Sequence, residues 1–152
     1  MNKTEENKTL RIRVAGILLI NDKILLVSHK KKDDVYWLLP GGGVDYGESL
    51  DEALKREFSE ELNINIDVHD LVLVNDSIEP GGERHILNMT FVCNKTGGEF
   101  LLGDDERLID FDFFSVEEMM NLKIFPPFKE ELKAILLNEN TSIYAGKLWQ
   151  EL

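Results

Sequence analysis

The chain has 152 residues, 43% of them hydrophobic and 30% charged, which suits one domain with a substantial core. Its formal net charge of −12 argues against a broad nucleic-acid surface, which needs a basic face. The longest apolar run, residues 14–20, is far too short to span a membrane.

Residues 1–9 are polar and read as a loose tail without the apolar stretch of a signal peptide. Residues 10–20 alternate as a strand, with Arg11 and Arg13 set against Leu10, Ile12 and Val14. Asn21-Asp22 marks a turn, and residues 23–28 read as the returning strand of a hairpin. Residues 29–34 (HKKKDD) read as a charged, solvated loop. A short apolar strand over residues 36–39 follows, with Trp37 expected in the core, and Pro40 and three glycines end it.

Beyond the segment from Gly41 to Ile64, residues 64–74 hold one or two strands. Residues 79–84 (EPGGER) make a turn, and residues 85–93 are rich in β-formers. Cys93 lies in that run. As the one cysteine of the chain it cannot form an internal disulfide, so a reduced, cytoplasmic setting is expected. Residues 94–106 read as a loop ending in Asp104, Asp105 and Glu106, and residues 109–114 as a strand. Ser115 and Glu118 form a capping box for a short helix to about residue 122, and residues 128–138 read as an amphipathic helix. The folded domain spans residues 10–138. The tail over residues 139–152 carries Tyr144 and Trp149 and is expected to dock on the domain or on a partner subunit. Strands, helix, strands and helices, with no linker or repeat, fit an α/β domain whose helices cover a mixed sheet.

The chemistry concentrates in GGGVDYGESLDEALKREFSEELNI, Gly41 to Ile64. Ser49 with Glu52 is a capping box, so a helix is expected from Leu50 to Leu62, stopped by Asn63. At roughly 100° per residue, Leu54, Phe58 and Leu62 form one apolar stripe. Glu52, Lys55, Arg56, Ser59 and Asn63 take the wet side. Glu57 and Glu61 fall at the edge of the stripe, where charge is costly unless it is neutralised. A glutamate-rich helix is most often a solvated face, but here that face is already occupied. The i, i+3, i+4 spacing clusters Glu57, Glu60 and Glu61, and carboxylate oxygens suit a hard cation such as Mg²⁺ or Mn²⁺.

This segment resembles the Nudix box, Gly-x5-Glu-x7-Arg-Glu-U-x-Glu-Glu-x-Gly-U, where U is a bulky apolar residue. Gly42, Glu48, Arg56, Glu57, Phe58, Glu60, Glu61 and Ile64 match in turn. Asn63 replaces the usual last glycine, a change that touches the turn and spares the acids. The resemblance implies an α/β/α sandwich and metal-dependent hydrolysis of a diphosphate linkage in a nucleoside diphosphate derivative. It implies one to three Mg²⁺ or Mn²⁺ ions on Glu57, Glu60 and Glu61, with a carbonyl from the Gly42 loop as a further ligand. Glu48 becomes a supporting acid, and Arg56 orients the carboxylates. Family members often add one more carboxylate from a late loop, where Glu106 ranks ahead of Asp105 and Asp104. Pro80 follows Ile64 at about the distance associated with the ADP-ribose pyrophosphatase branch, which favours ADP-ribose or a nucleotide sugar.

Among substrate contacts, Arg11, Arg13 and Arg84 suit phosphate. Tyr46 is a candidate for stacking on a base. His85 is a candidate for phosphate binding, with a structural histidine as the plainer reading. The leading alternative is a nucleoside triphosphate pyrophosphohydrolase that sanitises nucleotides, and the next a nucleotide-binding Nudix module without catalysis. Family members are often homodimers, and the aromatic tail is compatible with that.

Overall fold

The computed structural model describes residues 8–139 and 141–150. The tail expected over residues 1–9 falls mostly outside them. Strand β1 (Leu10–Ile20) turns at Asn21 and Asp22, whose φ angles are 53° and 63°, into β2 (Lys23–Lys31). Two consecutive positive φ values are what a tight two-residue hairpin needs, and asparagine and aspartate tolerate them. Residues 29–34 are not the expected loop. Strand β2 runs on to Lys31, turns at Lys32 and returns as β3 (Asp34–Leu38). The glycine run forms a short strand of its own, β4 (Gly41–Gly43), paired with β1 at Arg13, Val14 and Ala15.

Helix α1 (Leu50–Leu62) has the expected bounds, and Asn63 ends it in the left-handed region at φ 57°, ψ 33°. The capping box at its start is half formed. The Ser49 hydroxyl accepts from the Glu52 N–H, yet it also donates to the Asp51 and Glu52 carboxylates, so Glu52 does not reach back to the backbone of Ser49. The rest of the chain gives β5 (Ile64–Ile78), β6 (His85–Gly98), β7 (Leu108–Phe114), α2 (Val116–Met120), α3 (Lys129–Leu136) and β8 (Tyr144–Lys147).

The sheet has eight strands in the order β3-β2-β1-β6-β5-β8, with β4 added on β1 and β7 on β2. Strands β1 and β6 run parallel, as do β5 and β8, and the other pairs are antiparallel. The sheet is therefore mixed, as expected, and its centre is covered on both faces. Residues 14–18 of β1 are all buried, the mark of a strand sandwiched between two layers. Successive side chains leave a strand on opposite faces. Val14 and Leu18 accordingly pack with Leu54, Phe58 and Leu62 of α1, while Ala15 and Ile17 pack with Met119 of α2 and Leu132 of α3. Gly16 lets α1 come close: a Cβ there would stand 2.8 Å from the Phe58 ring. Among the described residues, no helix is long and apolar enough to cross a membrane.

Candidate active site

The half-buried acids of α1 meet the glycine strand. The Gly41 N–H donates to Glu61 Oε1 at 2.9 Å. A Cβ at Gly42 would lie 2.3 Å from the Glu57 carboxyl carbon, so only a bare backbone leaves that carboxylate where it stands. Burial pushes the Glu61 carboxyl up to about 7, against the pull of Arg13 and the Gly41 N–H, with Glu57 and Asp105 adding to the rise. Burial also raises Glu57, and Arg56 opposes that rise.

Arg56 binds the Glu48 carboxylate through two nitrogens, Nε at 2.7 Å and Nη2 at 2.9 Å. Its Nη1 donates to Glu57 at 2.8 Å and to Glu60 at 3.4 Å, and its Nη2 to the Gly43 carbonyl at 2.9 Å. The two-pronged bond, joined by the Asp45 N–H, holds the Glu48 carboxyl down at about 2. Glu48 raises Arg56 in turn, with Glu57 assisting.

A cavity of about 410 Å³ opens beside this cluster and carries Glu57, Glu60 and Glu61 on its wall. The strands supply its cations. Arg11 and Arg13 of β1 are registered with Ile86 and Asn88 of β6, and Arg84 has the same parity on the chain. All five line the cavity. Arg13 donates to the Leu39 carbonyl at 3.0 Å, and burial lowers its pKa although Glu61 and Glu57 hold it up.

The loop carboxylate on the wall is Asp105 and not Glu106. Its placement follows from a splice onto α1: Leu101 N donates to the Leu62 carbonyl at 3.0 Å, and Gly103 N to the Glu61 carbonyl at 2.8 Å. Glu106 is exposed and does not line the cavity. Tyr46 is fully exposed and does not line it. His85 is bound to Asp76 at 2.7 Å outside it. Trp37 packs against Phe114 in the second core cluster.

Four polar lining residues escaped the sequence reading, His29, Tyr36, Asn88 and Arg107, as did the aromatic Phe125. Arg107 is ion-paired with Asp105 at 3.1 Å, which lowers the Asp105 carboxyl. His29 and Tyr36 meet edge-on with ring centroids 5.8 Å apart. No local pattern marks His29 or Arg107: His29 lies within β2 and Arg107 just before β7, and the pairing of those strands brings both to the cavity.

The residues fit a hard divalent cation in kind. The donors are carboxylates alone, and the half-buried Glu61 stands beside a second acid with its charge incompletely compensated. Among the described residues, no three acidic, histidine or cysteine side chains already converge on one point. Arg56 holds Glu57, and Glu60 leans toward Arg56 with its side chain 60% exposed.

The family model described as NUDIX domain matches residues 10–135. The chain belongs to the Nudix family. It is similar to an ADP-ribose pyrophosphatase of Methanocaldococcus jannaschii, 32% identical over 114 residues that cover 73% of this chain and 65% of the relative. It is also similar to a putative 8-oxo-dGTP diphosphatase of Bacillus subtilis, 33% identical over 92 residues that cover 60% of this chain and 59% of that one. The chain thus spans less than two thirds of each of these Nudix relatives. In fold it resembles the crystal structure of an ADP-ribose pyrophosphatase from Streptococcus suis, with a TM-score of 0.67 at 20% identity over 93% of this chain and 100% of that one.

Proposed function

We propose that this Nudix protein hydrolyses the diphosphate linkage of a nucleoside diphosphate derivative, with ADP-ribose or a nucleotide sugar the favoured substrate. One observation carries the reading: an acidic wall of Glu57 and Glu61 on bare glycine backbone shares a single cavity with Arg11, Arg13, Arg84 and Arg107. Arginines suit the charge and shape of a diphosphate. The similarity to the M. jannaschii enzyme supports the substrate class.

Glu57, Glu60 and Glu61 would hold the cations, Mg²⁺ or Mn²⁺, with the Gly42 carbonyl as a further ligand. Bound there, a divalent cation supplies charge neutralisation at the phosphoryl group and a more acidic water. The protein's own groups do the rest. Arg11 and Arg13 bind the diphosphate and Arg107 joins them, while Arg84 stands at the far end of the same cavity. Arg56, anchored by Glu48, fixes the direction of Glu57. Asp105 is the acid from outside α1 that lines the cavity, and it takes the place expected of Glu106. A water oxygen bonds to one phosphorus, the bridging P–O bond breaks, and the leaving phosphate keeps the electron pair. The water's proton passes to a carboxylate of the acidic wall.

The second reading, nucleoside triphosphate pyrophosphohydrolysis, is favoured by the similarity to the B. subtilis protein. A substrate panel with Mg²⁺ separates the two. AMP and ribose 5-phosphate from ADP-ribose support the first. Pyrophosphate from a triphosphate, with ADP-ribose untouched, supports the second.

A further inference from the structure

The matched domain ends at residue 135, yet one wall of the cavity is backed by a residue that comes later. One wall is aromatic. His29 meets Tyr36, Tyr36 meets Phe125 with centroids 6.5 Å apart, and Phe125 meets Trp149 at 5.5 Å, each pair edge to face. The first three line the cavity, and Trp149 backs the last of them. Trp149 also carries the Arg84 guanidinium over its ring, 5.6 Å from the centroid, while Arg84 Nε donates to Glu79 at 3.1 Å. The ring and the carboxylate together fix where Arg84 points.

Trp149 is brought there by β8, the edge strand laid parallel on β5. Leu148 N donates to the Asp76 carbonyl at 2.8 Å, and the Tyr144 hydroxyl to the Asp76 carboxylate at 2.6 Å. This end of the cavity lies away from the acids. Gly42 is level with Val14 on β1, whereas His85, the residue after Arg84, is level with Leu10. At about 3.3 Å per residue the offset along the sheet is roughly 16 Å. That leaves room for a nucleoside beyond the diphosphate.

We propose that Phe125, Tyr36 and Arg84 form a subsite for a nucleobase, and that Trp149 is the positioning residue that holds it. A flat π-system bounded by aromatic rings and a guanidinium is the chemistry that recognises a base. The C-terminal segment is therefore a specificity element of the enzyme. This inference rests on the proposed hydrolysis for its kinetic arm alone.

The test uses the full chain with Trp149→Ala and Trp149→Phe. Calorimetry measures AMP, GMP, UMP and ribose 5-phosphate, and kinetics measures ADP-ribose. The expected result for Trp149→Ala is at least tenfold weaker binding of a nucleoside monophosphate that the wild type binds, with ribose 5-phosphate unaffected. KM for ADP-ribose rises about as much while kcat changes less than twofold, and Trp149→Phe recovers most of the loss. Tyr144→Phe, remote from the cavity, gives a weaker form of the same pattern and guards against a folding defect in Trp149→Ala. Equal binding of monophosphates by wild type and Trp149→Ala, or a wild type that binds none of them, overturns the subsite. A wild type that binds AMP through Trp149 but cleaves no diphosphate leaves the subsite standing and overturns the hydrolase reading.

Discussion

Glu61 sits where a carboxylate is poorly solvated, with one backbone N–H and one arginine to offset its charge and two further acids to oppose it. Gly41 and Gly42 make that placement possible in different ways. A Cβ at Gly41 would strike the Val14 carbonyl oxygen at 2.0 Å, which is backbone. At Gly42 it would strike the end of the Glu57 side chain, which can swing aside. Gly42→Ala is thus expected to lower kcat at least tenfold with a melting temperature within about 2 °C of wild type, whereas Gly41→Ala lowers both; paired thermal scans and rate measurements check this. His29 gives a pH signature. Burial, with Arg13 and Arg107 nearby, lowers its pKa from 6.5 to about 4. Between those values the unfolded chain binds the extra proton, so stability falls as pH drops through the window. Urea midpoints from pH 7 to 4 should fall more steeply for wild type than for His29→Gln, and parallel curves would contradict the burial assigned to His29. Glu57, Glu60 and Glu61 were legible from helical spacing. Arg107 and His29 were not, because they reach the cavity only through strand pairing between distant parts of the chain.

Helix α1 was the most legible element, since its cap, apolar stripe and left-handed stop all agree. The strands were less so. The charged residues 29–34 hid a tight hairpin, because a solvated strand edge carries no apolar alternation to read. The glycine run hid β4, which is held by pairing with β1 and not by propensity. The splice of residues 101–103 onto the end of α1 was invisible, being backbone hydrogen bonding alone. It is also what delivers Asp105. A Cβ at Gly103 would meet the Glu60 carbonyl oxygen at 2.1 Å, so the loop must lift. Gly103→Ala is expected to reduce kcat/KM about tenfold or more and to lower the melting temperature by several degrees; an unchanged rate would detach this loop from the site.

At the scale of the molecule, the net charge of −12 and the proposed anionic substrate are at odds until the cavity is considered by itself. Arginines gathered from β1, the turn before β6 and the loop before β7 give one wall the opposite sign. A cation on the acidic wall would complete the reversal. The layered α/β/α order was readable from element order and the matched segment. The cavity was not, since it is made by a register that joins Arg11 and Arg13 to Ile86 and Asn88. The proposed hydrolysis depends on the acids of α1 acting through a divalent cation. The most direct measurement is hydrolysis of ADP-ribose against Mg²⁺ concentration, for wild type and Glu61→Gln, with EDTA controls. The account predicts a saturable rise in rate for wild type, abolition by EDTA, and at least a hundredfold loss in Glu61→Gln with the fold intact. Hydrolysis that persists in EDTA, or a variant as fast as wild type, would contradict it.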